Sequence, residues 1–453
     1  MIDKAIIIAY LTIMLAIGIY FAKKNKNEEG FFLASRNLGS FPIAASIFST
    51  LGCAGSLFMT TALSYTYGIS VIWFFISAFI GFMVFALAVP KIKAIADKHN
   101  CITLPEILKI KLDKKCMIIS SLITIAIYGG FVAVNFLAAG IILNMVFNIS
   151  IVSGAIIFAL IVTLYSMLGG FKGIVWTDIV QMFIILTGTM ILLTISIRNA
   201  GGFSSLVQLP DLHKSITGMG WPLIVGMFIS TILAYFASQD IFQRVFAAKS
   251  NKIAKKSIII MGFLILLIGA IVILLGMFGK LLFPEMAAGE IIPALTTAFI
   301  PIGLAGIVLA SYLAMANSTS DSELLTVTSN IIRDFMQNKN KKIPPIKQVA
   351  ISRIVLIGVA AIALVFALTI QNITDIVLSM YTWLGILGMN VIAALFWKKA
   401  NSNAIFWSLV SGFGTAIAYT TVTGDFETAM IIGLLPTFIV LITVSLLTKK
   451  KVN

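Results

Sequence analysis

Residues 257–283 read SIIIMGFLILLIGAIVILLGMFGKLLF, a run of 27 positions in which Lys280 is the only charge. About 20 apolar residues cross a hydrocarbon core of roughly 30 Å, so the run is read as a membrane helix. A barrel strand would be about ten residues long and would alternate polar with apolar positions, which this stretch does not do. A helix, by contrast, satisfies its own backbone groups in lipid. Working outward, Ala5 to Ala22, Phe41 to Ser64, Ile69 to Pro90, Met117 to Phe147, Ile151 to Leu168, Ile174 to Ile197 and Met219 to Phe242 precede it. Ile302 to Ile332, Val349 to Ile370, Ile373 to Trp397, Ala404 to Val422 and Thr428 to Thr448 follow. The expected fold is an all-α membrane bundle of thirteen transmembrane helices.

Composition agrees. The 453 residues are 60% hydrophobic and 11% charged, against about 25% charged in soluble domains. A soluble domain, disorder, collagen and a disulfide scaffold are excluded, and so is a nucleic-acid partner despite the net charge of +15. With thirteen spans, 28 of the 32 Lys and Arg residues fall in one set of alternate loops and at the C-terminus; Lys4, Arg198, Lys214 and Lys280 are the exceptions. The positive-inside bias places the N-terminus outside and the C-terminus in the cytoplasm of a multi-pass plasma-membrane protein, with lipid head groups as the contacts of the basic loops. In the first run the charges follow the apolar core instead of preceding it, so a retained helix is expected, not a cleaved signal. Cys53, Cys101 and Cys116 have no metal spacing and are expected as free thiols. His99 and His213 fall in loops and are expected to be solvated.

An ionisable group within the hydrocarbon costs about 2.5 to 3.5 kcal/mol on insertion scales and must face a partner or a water-filled cavity. Asp178, Asp240, Asp321 and Glu323 are in that position. Asp240 precedes Gln243 and Arg244, which suggests an interfacial carboxylate paired to a loop arginine. The ninth run holds Asn317-Ser318-Thr319-Ser320-Asp321-Ser322-Glu323, followed by Thr326, Thr328 and Ser329. Ser318 and Ser322 are four apart, Thr319 and Ser322 three apart, so their oxygens share a helix face and can meet an ion. Hydroxyls bonding back to their own i−4 carbonyls would explain one or two of them, not the whole group. The second run carries Ser49-Thr50-Leu51-Gly52-Cys53-Ala54-Gly55-Ser56, whose glycines either permit close helix approach or mark a broken helix with free carbonyls. Together these features suggest oxygen ligands for a small hard cation such as Na⁺. No HExxH, GxSxG or Walker pattern occurs, so an enzyme is not expected.

The motifs Tyr165-Ser166-Met167-Leu168-Gly169-Gly170-Phe171-Lys172-Gly173 and Val175-Trp176-Thr177-Asp178-Ile179-Val180-Gln181 resemble those of the sodium/solute symporter family. Gln243-Arg244 with Ala247-Ala248-Lys249-Ser250, and Ser318-Thr319 with Leu324-Leu325 and Arg333-Asp334-Phe335, extend the likeness over nearly the whole chain. The resemblance implies a LeuT-type 5+5 inverted repeat, residues 41–198 against 218–399, with one extra N-terminal helix (5–22) and two extra C-terminal helices (404–448). It implies Na⁺ held by backbone oxygens of Ser49, Gly52 and Met315 and side-chain oxygens of Ser318 and Thr319. Asp178, Asp321 and Ser322, with Ser318, match a second cation position, or else Asp178 only guides ion release.

Ser56 and Val377 stand where sugar-transporting members use polar amides, which disfavours a sugar and implies a small, fairly apolar pocket lined by Ser56, Tyr235 and Tyr381. Phe236 and Trp383 are further lining candidates. The lack of Gly or Pro from Met227 to Phe242 argues against a sharp break in the seventh span. The expected function is sodium-coupled import of a small organic solute by alternating access, in a monomer. A proton-coupled transporter using Asp178 or Asp321, or a solute sensor, are the alternatives.

Overall fold

The computed structural model describes residues 2–22, 27–52, 54–336, 344–370 and 372–448. Cys53, Lys23, Lys24, Lys26 and the terminal Lys449 to Lys451, all used in the sequence reading, lie outside these. The helices in chain order are α1 (Ile2–Ala22), α2 (Glu28–Leu33), α3 (Ser40–Leu51), α4 (Ala54–Tyr67), α5 (Ile72–His99), α6 (Leu104–Lys111), α7 (Lys114–Phe147) and α8 (Ile151–Asn199). Then come α9 (Asp211–Lys214), α10 (Trp221–Ala234), α11 (Gln239–Ala247), α12 (Asn251–Leu282), α13 (Ile291–Phe299), α14 (Leu304–Asn330), α15 (Pro345–Ala367), α16 (Ile373–Phe396), α17 (Ser402–Thr423) and α18 (Phe426–Leu447). Among the described residues, ten helical stretches are long and apolar enough to cross a membrane. Two are more than twice the necessary length: 46 residues from Ala54 to His99 and 49 from Ile151 to Asn199. The second bends at Gly170 (φ 56°, ψ −167°), a backbone conformation open to glycine alone among common residues. That glycine lies between the runs that the sequence separates at Leu168 and Ile174. Asp178 is therefore two turns into the second half of α8, one turn more than a span beginning at Ile174 would give it.

Gly52 closes α3 with φ −74° and ψ 36°, and α4 begins at Ala54, so the second span is broken as one of the two sequence readings allows. Gly55 serves the other: a Cβ there would lie 2.6 Å from a methyl of Val134. The seventh span departs from expectation. It is interrupted over residues 235–238, between α10 and α11. There Phe236 and Ala237 donate to the carbonyls three residues back, Leu233 and Ala234, and the Ser238 hydroxyl satisfies the Ala234 oxygen at 2.9 Å. What permits this is on another helix. On α16, a Cβ at Gly388 would fall 2.6 Å from the Leu233 carbonyl carbon, and one at Gly385 would fall 3.1 Å from Ser230 Cα. Overpacking against backbone costs about 1–3 kcal/mol or more. Gly388→Ala is expected to lower the melting temperature of the detergent-solubilised protein more than Gly385→Ala does; equal melting curves for both variants and the parent would refute this account of the break.

Three further expectations need correction. His213 is buried, its Nε2 2.9 Å from the Tyr65 carbonyl oxygen; His99 alone is exposed. The basic residues are not all at lipid head groups, because Lys93 and Arg244 are buried and the Lys93 ammonium donates to Asp97 and to the Phe246 carbonyl. Asp240 is not an interfacial partner of Arg244: it is buried, and its Oδ1 accepts from the Tyr128 hydroxyl at 2.5 Å. Cys101 and Cys116 are free, as expected, and burial pushes the Cys101 thiol up to about 12, so it stays protonated and inert.

Where α14 ends, Arg333 pairs with Glu106 at 2.7 Å and Glu28 at 3.7 Å. Asp334 accepts from Thr103 (2.8 Å) and Ser121 (2.7 Å). Burial is the main influence on the Asp334 carboxyl and, against these hydrogen bonds, raises it from 3.8 to about 7. Between those values the folded chain holds a proton that the unfolded chain has released. Stability from this group is therefore complete below 3.8 and falls as pH rises toward 7. Asp334→Asn is expected to flatten the decline of melting temperature over that window; an unchanged pH slope would count against it.

Candidate functional site

α3 presents Ser46, Ser49 and Thr50 on one face, because residues three and four apart are neighbours on a helix. That face meets Asp178 of α8, Arg244 of α11 and the hydroxyl face of α14. Asp178 and Arg244 are both fully buried, with Oδ2 and Nη2 3.4 Å apart. Every nitrogen of the guanidinium is engaged. Nε donates to Ser46 Oγ (2.9 Å), Nη1 to the Asp240 carbonyl (3.1 Å), and Nη2 to Thr50 Oγ1 (2.6 Å) and Ser322 Oγ (2.8 Å) as well as to Asp178. Asp178 accepts from the Ser46 hydroxyl and, at 2.5 Å, from the Ser318 hydroxyl, while its carbonyl accepts from Ser49 Oγ at 2.8 Å.

Thr319 points the other way. Its hydroxyl lies 2.8 Å from the Thr50 carbonyl oxygen and 2.9 Å from that of Met315. The Met315 contact is the i−4 back-bond considered from the sequence, and Ser320 and Thr328 make the same bond to Ala316 and Leu324. Ser318 and Ser322 instead reach across to other helices. Asp321 accepts from the Tyr165 hydroxyl and, at 3.2 Å, from Ser322. Behind it, a chain through Asn317, Tyr10 and Gln181 ties α14 and α8 to α1.

Between the two helix breaks lies a cavity lined by Gly52, Ser56, Tyr235, Met315, Thr319 and Tyr381 among others. Ser56 Oγ and Tyr381 Oη are 3.5 Å apart. Phe236 and Trp383 lie outside this lining and pack instead against Phe85 and Phe413.

Apart from Phe236 and Trp383, the residues assigned from the sequence therefore lie in one connected region: Ser49, Asp178, Ser318, Asp321 and Ser322 in the hydrogen-bonded cluster, the others along the cavity, with Thr319 joining the two. The sequence reading missed Ser46, Thr50 and the central role of Arg244. The i, i+4 spacing of Ser46 and Thr50 was a usable signal. Arg244 was noted only as a loop partner for Asp240 and as part of a family motif; nothing in the sequence near it points to its actual partner Asp178, 66 residues earlier.

A family model described as the sodium:solute symporter family matches residues 31–412. The high-affinity proline transporter PutP of Bacillus subtilis (strain 168) is 26% identical over 96% of this chain and 96% of its own length. The sodium/glucose cotransporter 1 of Oryctolagus cuniculus is 23% identical over 91% of this chain and 70% of its own length. A Na⁺-coupled sialic acid symporter, solved in a substrate-bound outward-open state, superposes with a TM-score of 0.87, at 21% identity, over 100% of this chain and 99% of that one.

Proposed function

The chain belongs to the sodium:solute symporter family, and from that premise we propose that it imports a small organic solute with Na⁺ by alternating access. Its relatives named above are transporters and not enzymes. The observation that carries the sodium reading is the Thr319 hydroxyl, held within hydrogen-bond distance of two carbonyl oxygens from helices far apart in sequence. A hard monovalent cation takes such oxygens. The assigned ligands are the backbone oxygens of Ser49, Gly52 and Met315 with the hydroxyls of Ser318 and Thr319, and Thr50 supplies a further carbonyl. Asp178, Asp321 and Ser322, with Ser318, form a second cation position or the release path. Solute binds in the adjoining cavity against Ser56, Tyr235 and Tyr381.

The architecture proposed is thirteen spans with the N-terminus outside: an extra helix at 5–22, inverted repeats at 41–198 and 218–399, and two extra helices at 404–448. Breaks at Gly52 and over 235–238 support it, since each falls in the first helix of its repeat. In the cycle, Na⁺ ties α3 to α14 and shapes the solute pocket, the repeats rock, and loss of Na⁺ to the cytoplasm frees the solute. Each positive charge moving inward gains about 2.3 kcal/mol per 100 mV, and a tenfold sodium gradient adds about 1.4 kcal/mol. One ion thus supports concentration of a neutral solute by a few hundredfold.

Proton coupling is the second reading. It is favoured by Asp321, which forms no ion pair among the described residues and accepts from a buried tyrosine. Replacing external Na⁺ by K⁺ at fixed pH, with protein in proteoliposomes, separates the two. Loss of uptake is the expected result; full uptake in K⁺ would overturn sodium coupling.

A further inference from the structure

Glu323 is four residues beyond Thr319 on α14, so both side chains face the cavity, and the sodium reading uses only one of them. The Glu323 side chain is 4% exposed, and its Oε2 has no hydrogen-bond partner. Asp240, also 4% exposed, lines the same cavity from α11. No Lys, Arg or His is among the lining residues. Arg244 is near but spent, its donors committed to Ser46, Thr50, Asp178, Ser322 and a carbonyl oxygen. A buried carboxylate without a partner is unfavourable until a counter-charge arrives.

The rings around these carboxylates suit a particular counter-charge. Tyr128, Phe131, Tyr381 and Phe74 form a connected series with centroids 6.4, 6.1 and 5.6 Å apart, the last two pairs edge to face. All four line the cavity. Aromatic faces attract organic cations, ammonium groups above all, while two carboxylates repel an anion.

Resting on the symporter reading, we propose that the solute is a small organic cation, a protonated amine or quaternary ammonium, whose charge sits against Glu323 and Asp240 and whose alkyl groups sit among these rings. Because Thr319 and Glu323 occupy one face of one helix, an ion at the first and a solute charge at the second are coupled through α14.

The test uses the full chain in detergent at fixed neutral pH and saturating NaCl, with binding read by thermal shift and isothermal titration. The probes are choline, its uncharged isostere 3,3-dimethylbutan-1-ol, the anion 3,3-dimethylbutyrate, and a panel of small primary amines with the matching alcohols. At least one ammonium probe is expected to bind more than about tenfold tighter than its neutral isostere, the worth of a desolvated cation–π and charge contact. In Glu323→Gln, and to a lesser degree in Asp240→Asn, that preference is expected to shrink while stabilisation by Na⁺ alone persists, which reports a folded protein. Neutral or anionic probes binding as tightly, no ammonium probe binding, or a preference unchanged in both variants would each overturn the proposal. Failure of Na⁺ alone to stabilise the parent protein would count against the symporter reading separately, since the ammonium preference is also read in KCl.

Discussion

Replacing Arg244 by leucine is expected to abolish transport and to destabilise the protein by about 3–5 kcal/mol, the usual penalty for stranding one member of a buried ion pair. The side chain is fully buried and its partner Asp178 equally so. Without the guanidinium, Asp178 keeps only the hydroxyls of Ser46 and Ser318 as donors, and Thr50 and Ser322 lose their shared partner. Removing both charges in Asp178→Asn with Arg244→Leu should recover a good part of the stability, because well-packed neutral groups often replace a buried pair at little cost. It should not recover transport, since the proposed second cation position or release path needs the carboxylate. The measurement is a double-mutant cycle on thermal melting, with solute uptake in parallel. Additive losses in the cycle, or a single Arg244 variant as stable as the parent, would show that the pair does not organise this region.

Thr319→Ala is expected to raise the sodium concentration for half-maximal stabilisation or uptake by about tenfold or more, equivalent to about 1.4 kcal/mol. Ser318→Ala should act in the same direction. The two differ in surroundings: Thr319 joins the Thr50 and Met315 carbonyls, whereas Ser318 is turned toward Asp178. Thr319→Ser keeps the oxygen and should restore most of the affinity. Overall stability should change little in Thr319→Ala, because the carbonyl of Met315 remains within its helix, so a sodium effect is separable from misfolding. Unchanged sodium dependence in both alanine variants would remove these hydroxyls from the coupling site.

Much of this region was legible in sequence. Seven hydroxyls and two carboxylates after an apolar half-helix identify α14, and each hydroxyl assigned there lies in the cluster or on the cavity. Gly52 stands at the break, and Gly170 makes the bend because its positive φ is open to glycine. The break between α10 and α11 has no such local mark. It depends on Gly385 and Gly388, about 150 residues further on, whose missing side chains admit the backbone of Ser230 and Leu233. Asp240 was misread for a similar reason: its nearest cation in sequence was taken as its partner, while the group that holds its carboxylate is Tyr128 on α7.

The sequence by itself determined that this is a bundle of membrane helices with a polar interior, because the cost of placing each side chain in hydrocarbon is local and adds residue by residue along a span. It also marked α14 as the helix that brings hydroxyl and carboxylate oxygens to the buried cluster. Only the tertiary structure decided that Arg244 leaves the basic loops to close on Asp178, that the seventh span breaks, and that Glu323 faces a cavity of aromatic rings. Those outcomes turn on charges and backbone groups from distant segments meeting where water is scarce. There an unpaired group is costly, and the partner that relieves it is chosen by packing and not by position in the chain.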